Sequence, residues 1–235
     1  MFPRKLTRSI VVGAAAIAVA GGSYGIVSAT SGSGSTAAAS TAPAASSSGG
    51  GGSNARSGPA AGGSSGTVSS LSTSGFTITT PAGQKVTVKE TSSTTYQNGT
   101  SPASASAITT GQPVLVLGTT SSTSITATQV TVQPAGSEGS AASSAAGVVP
   151  FQQGAPATSK TVGQIPADYT QGSGTLATGT TANKATEAAL AAYPGGVVDR
   201  VVELGNGDYE VHYIGVNWPH HIFVNQDFKV IGAND

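Results

Sequence analysis

From Thr30 to Ser65 the chain reads TSGSGSTAAASTAPAASSSGGGGSNARSGPAAGGSS, with no hydrophobic period and Arg56 as its one charge. A stretch of this kind buries too little apolar surface to offset the entropy of ordering it. Any folded core is therefore expected elsewhere. A second small-residue stretch, from Ala135 to about Gly174, divides what remains. The expectation is two small folded islands, residues 66–134 and 175–235, carried on disordered linkers at 30–65 and 135–174. The first linker has a root-mean-square span of roughly 30–36 Å. Inside the second, VVPF and TVGQIPADY are apolar interruptions. They can dock on a neighbouring domain, but a sticky, unstructured spacer is the preferred reading.

Composition narrows the function classes. Only 9% of the 235 residues are charged, against about 25% in ordinary domains. Ten bases balance ten acids, so the chain lacks the basic excess that grips phosphates, and no nucleic-acid partner is expected. The absence of cysteine excludes disulfides, zinc thiolate sites, a cysteine nucleophile and a lipid anchor on cysteine.

The N-terminus supplies an address. MFPRKLTR carries Arg4, Lys5 and Arg8 and no acid, and an apolar run from Ile10 to Ala20 follows. This order matches a secretory signal, and Val27-Ser28-Ala29 offers small residues before a cut. Residues 1–29 are read as a signal peptide or as a retained membrane anchor, since Ile10 to Ala29 is about the length that spans a bilayer. Either way the rest of the chain is extracytoplasmic, secreted or N-terminally anchored, and touches a membrane only through this segment.

The first island reads as β-structure. Phe76 and Ile78 alternate with Thr77 and Thr79, and Val86 and Val88 alternate with Lys85, Thr87 and Lys89. TPAG between them is turn chemistry, so the pair forms a hairpin. GQPVLVLG is a short apolar run, expected as a buried strand. In SITATQVTVQP the apolar face switches between Ala127 and Val130, which predicts a bulge. Asn98-Gly99-Thr100 is read as a turn rather than a glycosylation acceptor. With TVSSLS as the first strand there are five, which predicts an OB-like five-stranded barrel. The order G-x-V, GFTITT, G-x-KVTV, AITTGQPVLVLG, ITATQVTV resembles an uncharacterised family of bacterial exported OB-like domains, a resemblance that implies a fold more than a role.

The second island reads as α+β. Ala182, Ala185, Ala189 and Ala192 or Tyr193 recur at helical spacing, with Leu190 beside them. Thr180 or Thr181 can cap the start, and Pro194-Gly195-Gly196 ends the helix. VVDRVVEL then reads as a strand with Val198, Arg200 and Val202 on one face. GNGD turns the chain into YEVHYIGV, and HIFVN and FKVIG follow on either side of Gln226-Asp227. The helix is expected to cover one face of a small antiparallel sheet. The pattern A-x-x-A-A-L-A-A-Y-P-G-G-V-V, G-D-Y-E-V-H, I-F-V-N-Q-D-F-K-V-I-G resembles a PepSY domain over about residues 181–232. That resemblance implies a non-catalytic role, binding and restraining a peptidase or serving as an extracytoplasmic interaction module. Asn225 stands where the family usually has an acid, and NWPHH is an unusual turn.

No reaction chemistry assembles from the sequence. Gly-x-Ser-x-Gly occurs at Gly21–Gly25 and Gly62–Gly66, without the strand-to-helix setting of a nucleophile elbow. GAPATSKT, from Gly154, departs from a phosphate-binding loop by having Ser159 where glycine is required. Glu203, Asp208 and Glu210 flank the hairpin and read as a solvated face. The chain is read as a non-enzyme with no cofactor. The candidate binding residues are Trp218, His220, His221 and Phe223, taken as an exposed tip because tryptophan is a frequent interface anchor. A metal set of His212, His221 and Asp227 is the less favoured alternative, because neutral imidazoles with a carboxylate can hold zinc or copper. His220 and His221 are neighbours on an extended strand, so only one of them can join His212. The function expected is a binding module of the bacterial cell envelope with a protein partner. A scaffolding protein, or a sensor of metal or small ligand, is the alternative.

Overall fold

The computed structural model describes residues 58–136, 144, 146–154 and 158–235. The signal or anchor segment, and most of the first linker, lie outside the described residues.

Five strands close a barrel. They are β1 (Ala60–Ser72), β2 (Gly75–Thr79), β3 (Lys85–Lys89), β6 (Pro113–Ser121) and β7 (Ser124–Val132). Strand β1 pairs with β2, β2 with β3, β3 with β7 in parallel, β7 with β6, and β6 with β1. This is the OB-like closure expected from the five apolar runs. The interior is filled by Val68, Phe76, Ile78, Val86, Val88, Val114, Val116, Ile125, Val130 and their neighbours. The expected bulge is present: Leu117 faces Gln129 and Gly118 faces Ala127, leaving Thr128 unmatched. Ala127 and Val130 can therefore both face the core. The long connection between β3 and β6 holds a further hairpin, β4 (Thr95–Asn98) and β5 (Ser101–Ala103), which turns at Gly99 and adds β4 to the edge of β7.

Helix α1 (Gly179–Ala192) buries Ala182, Ala185, Thr186, Ala189 and Leu190. Its N-cap is Thr178, whose side chain makes no capping bond, so neither Thr180 nor Thr181 caps it. Small buried residues let the helix lie close on the strands that follow: β11 (Val197–Glu203), β12 (Tyr209–Ile214), β14 (His221–Val224) and β15 (Val230–Asn234). The four form an antiparallel ladder in that order. The core under the helix contains Val198, Val201, Val211, Tyr213, Trp218, Ile222 and Val224.

Two corrections to the sequence reading concern the linkers. Residues 60–65, read as the end of a flexible linker, are the first half of β1. They pair with β6 along one side, and Gly63 and Ser64 pair with Val198 and Val197 of β11 on the other. The two islands are thus not separate beads, because β1 makes them one continuous sheet within a single compact unit. Only residues without bulk fit at this seam. A side chain at Gly62 would meet the Val198 carbonyl, and one at Gly63 would meet the Val116 carbonyl. Strand β6 is consequently buried on both faces. Val114 and Val116 point into the barrel, while Leu115 and Leu117 join the core under α1.

The second linker is also partly ordered onto the fold. Val149–Pro150 pairs as β8 with β13 (Val216–Trp218), and Val162–Gly163 pairs as β9 with β15. Thr175–Leu176 pairs as β10 with β11. Val148 enters the core under the helix, and Ile165 and Tyr169 pack on Val202, Leu204 and Phe223. The apolar interruptions dock, and the spacer reading fails for them. Val148 adds to the core on the α1 side, whereas Ile165 and Tyr169 cover the sheet face that α1 leaves open.

Candidate functional site

The sheet face turned away from α1 carries an unusual amount of buried polarity. A bulge in β11 supplies part of it. Val198 pairs with Tyr213 and Arg200 with His212, so Asp199 is the extra residue between them. An inserted residue resets the alternation of the strand and re-aims side chains. Val198 and Val201 now face the helix, while Val202 faces the opposite core with Phe223. The expected single face of Val198, Arg200 and Val202 is therefore split. The same bulge brings Asp199 beside His212.

Two imidazole–carboxylate pairs lie on this face, the first of them positioned by the bulge. His212 donates from Nδ1 to Asp199 Oδ1 at 2.5 Å, and Arg200 donates to the other oxygen of that carboxylate at 3.2 Å. His221 donates from Nδ1 to Glu210 Oε1 at 2.7 Å, with both side chains about 5% exposed or less. His212 and His221 face each other directly across β12 and β14, their ring centroids 5.1 Å apart. Tyr169, from the docked linker, covers the outer side with its ring 5.7 Å from His221 and 4.7 Å from Phe223. Burial and then the charge of Glu210 hold the Tyr169 phenol protonated well above its usual range. Glu210 is accordingly not part of a solvated face, because the docked segment has closed over it. Glu203 remains exposed and Asp208 is half-buried in the turn.

A cleft of about 410 Å³ opens beside these pairs. His212, His220 and His221 line it together with Gln84 from the β2–β3 turn, Gln171 and the exposed ring of Phe151. Gly215 (φ 83°) lets Gln84 pack against the backbone there, since any Cβ would strike its amide. The cleft thus lies where the barrel turns meet the C-terminal sheet.

His220 reaches the cleft by another route. It precedes β14, and its Nε2 donates to the Val216 carbonyl at 2.7 Å. Burial lowers its pKa below the ordinary 6.5, against the opposing pull of that hydrogen bond. The charges of His212 and His221, if protonated, lower it further, while Asp235 raises it. In the unfolded chain the same ring titrates near its ordinary value, so on acidification the unfolded chain gains the proton first. Stability is therefore expected to fall as the pH drops below about 6.5, with no contribution from this residue well above it. Urea midpoints at pH 7.5 and pH 5.5 should differ less in His220→Gln than in the parent chain, and an equal difference would contradict the burial assigned to the ring.

The exposed tip expected from WPHH does not form. Trp218 is 1% exposed and Phe223 fully buried. The Trp218 indole N–H donates to the Lys160 carbonyl at 2.6 Å, and its ring meets Tyr193 edge-on at 5.6 Å. Both aromatics are core residues because Ala146, Val148 and Lys160 pack around Trp218, and Ile165 and Tyr169 around Phe223. Asp227 lies in the turn after β14, at the far end of that strand from His221, with its backbone N–H on the Asn225 side chain. His212, His221 and Asp227 are therefore not brought together. Among the described residues no group of three or more histidines and acids is placed to share an ion. Ser64, the serine of the second Gly-x-Ser-x-Gly, is buried in mid-strand and donates to the Gly196 carbonyl. The Gly154 motif is only partly described.

The sequence paired His212 with His221 but not with Asp199, whose place depends on the bulge. The one available signal was that VVDRVV sets two charges inside an apolar run, where a regular strand would bury one of them without a partner.

Among the described residues no helix is long and apolar enough to cross a membrane. No curated protein and no solved structure matches the chain. A family model described as Domain of unknown function (DUF5666) matches residues 65–131, the stretch that holds most of the barrel strands.

Proposed function

We propose that this chain is a non-enzymatic, extracytoplasmic binding module of the bacterial cell envelope that engages a protein partner at the histidine-lined cleft. The observation that carries this reading is the cleft itself. It gathers three imidazoles and the exposed ring of Phe151 at a junction of rigid strands. Each imidazole is already tied by a carboxylate or a carbonyl, which fixes its orientation as a recognition surface. The PepSY resemblance of residues 181–232 makes a peptidase the partner class. The basic, apolar N-terminal segment supports the extracytoplasmic address.

The test places a photo-crosslinking phenylalanine analogue at Phe151 in the full chain, expressed in its own host. Irradiation is expected to give a defined adduct containing an exported peptidase, absent when the analogue sits at exposed Leu71 on the barrel. Adducts with wall or membrane components alone, equal at both positions, would make the chain a scaffold and end the peptidase reading.

A further inference from the structure

We propose that His212 and His221 form an open site for a divalent first-row transition metal, with copper(II) or zinc(II) the best fit. This does not rest on the protein partner proposed above. Each ring has its Nδ1–H on a carboxylate, so Nε2 is the donor atom left on both. That is the arrangement in which a carboxylate orients a ligating imidazole, fixes its tautomer and strengthens it as a donor. The spacing agrees. Two imidazoles bound through Nε2 at about 2.0–2.1 Å would set their centroids about 5 Å apart around a tetrahedral ion, and the observed separation is 5.1 Å. Both rings line the same cleft, so an ion can reach them from solvent.

Charge selects a cation. Behind the two rings stand two carboxylates, Asp199 and Glu210, against one guanidinium, Arg200. An anion entering the cleft would meet that excess of negative charge, whereas a cation is drawn to it. The donors are nitrogen alone, which suits copper and zinc and disfavours calcium and magnesium. Two protein donors are fewer than the four of a closed structural site. The remaining positions would belong to water or to an incoming ligand, so the ion exchanges and can be sensed or handed on.

The test uses the purified full-length chain and copper(II) alone. Calorimetry should show one saturable equivalent, and the paramagnetic resonance spectrum should carry splitting from two imidazole nitrogens. His212→Gln should remove one of the two nitrogens and weaken binding at least tenfold, and His221→Gln should do the same. Asp199→Asn should keep both nitrogens but weaken binding about 10–100-fold, as removal of an orienting carboxylate does. Leu71→Ala, at an exposed site on the barrel, should change neither readout. His221 is almost fully buried, so if its variant fails to fold by circular dichroism, the more exposed His212 variant decides. Absence of saturable uptake, uptake that survives His212→Gln with its nitrogen count intact, or uptake lost in Leu71→Ala would each overturn the site. Because no partner is present in this experiment, its failure leaves the peptidase reading standing, and the converse holds.

Discussion

Replacing Gly63 with valine is expected to lower the urea midpoint of the whole protein, at a cost of about 3 kcal/mol. The new side chain would meet the Val116 carbonyl, Leu117 Cδ2 and Thr186 Cγ2 at once. Two of these neighbours belong to β6 and the third to α1, and neither element is free to retreat from a close-packed seam. Net stabilities of single domains are about 5–15 kcal/mol, so a loss of this size is a large part of the total. The effect should reach both halves together. Trp218 is the chain's one tryptophan, and its fluorescence reports the core under α1. Far-UV circular dichroism reports the barrel strands as well. Coincident midpoints, shifted together, are the expected result. A normal midpoint, or a shift seen by one probe alone, would mean that β1 does not bind the two halves as described. By the same reasoning, a fragment beginning at Gly66 should not yield a stable barrel, since it lacks the residues of β1 that pair with Leu115 to Thr120.

Trp218→Ala is the second large effect. Removal of a buried tryptophan side chain costs about 3–5 kcal/mol. Here the loss includes the hydrogen bond to the Lys160 carbonyl, the edge-on contact with Tyr193 and the cover of the Lys160 ammonium, 4.4 Å from the ring centroid. The segment that folds over the ring should loosen with it. Limited proteolysis is expected to cut the variant near Lys160 well before the parent, and its thermal midpoint should fall by roughly 6–20 °C. If the variant melts with the parent and only partner capture suffers, Trp218 is the exposed anchor that the sequence suggested, and the packing described here is wrong.

The contrast between these two residues shows what was legible in the sequence. The barrel could be read because alternation carries it: Phe76 and Ile78, Val86 and Val88, and the shift from Ala127 to Val130 each reflect which side chain faces the interior. The helix and its sheet could be read because Ala182, Ala185 and Ala189 repeat at the helical period and Gly-Asn-Gly-Asp marks the turn. The seam could not. AAGGSSG has the composition of a flexible linker, yet it is buried because a strand squeezed between two others has no room for side chains. Composition reports the apolar surface a segment brings, not the surface that its neighbours supply. The site was half legible for a related reason. His212 and His221 sit on regular strands, whose faces follow from counting residues. Asp199 depends on a bulge, and Glu210 looked solvent-facing until Tyr169 covered it. Both depend on partners remote in sequence, which no local period records.

The seam also sets an order of events when the protein is made. Ser64 and Gly196, joined by a hydrogen bond, are 132 residues apart. At about 5–20 residues per second a ribosome needs roughly 7–26 seconds to cover that distance. Once Val132 has been made the barrel has all five of its strands, but until β11 follows the flank of β1 that receives it stands open. An unpaired strand flank is a template for any other extended chain. The glycines and serines that let β11 lie against β1 also leave that flank narrow and poor in apolar side chains. A newborn barrel therefore offers passing chains little to hold before its own C-terminal strands arrive.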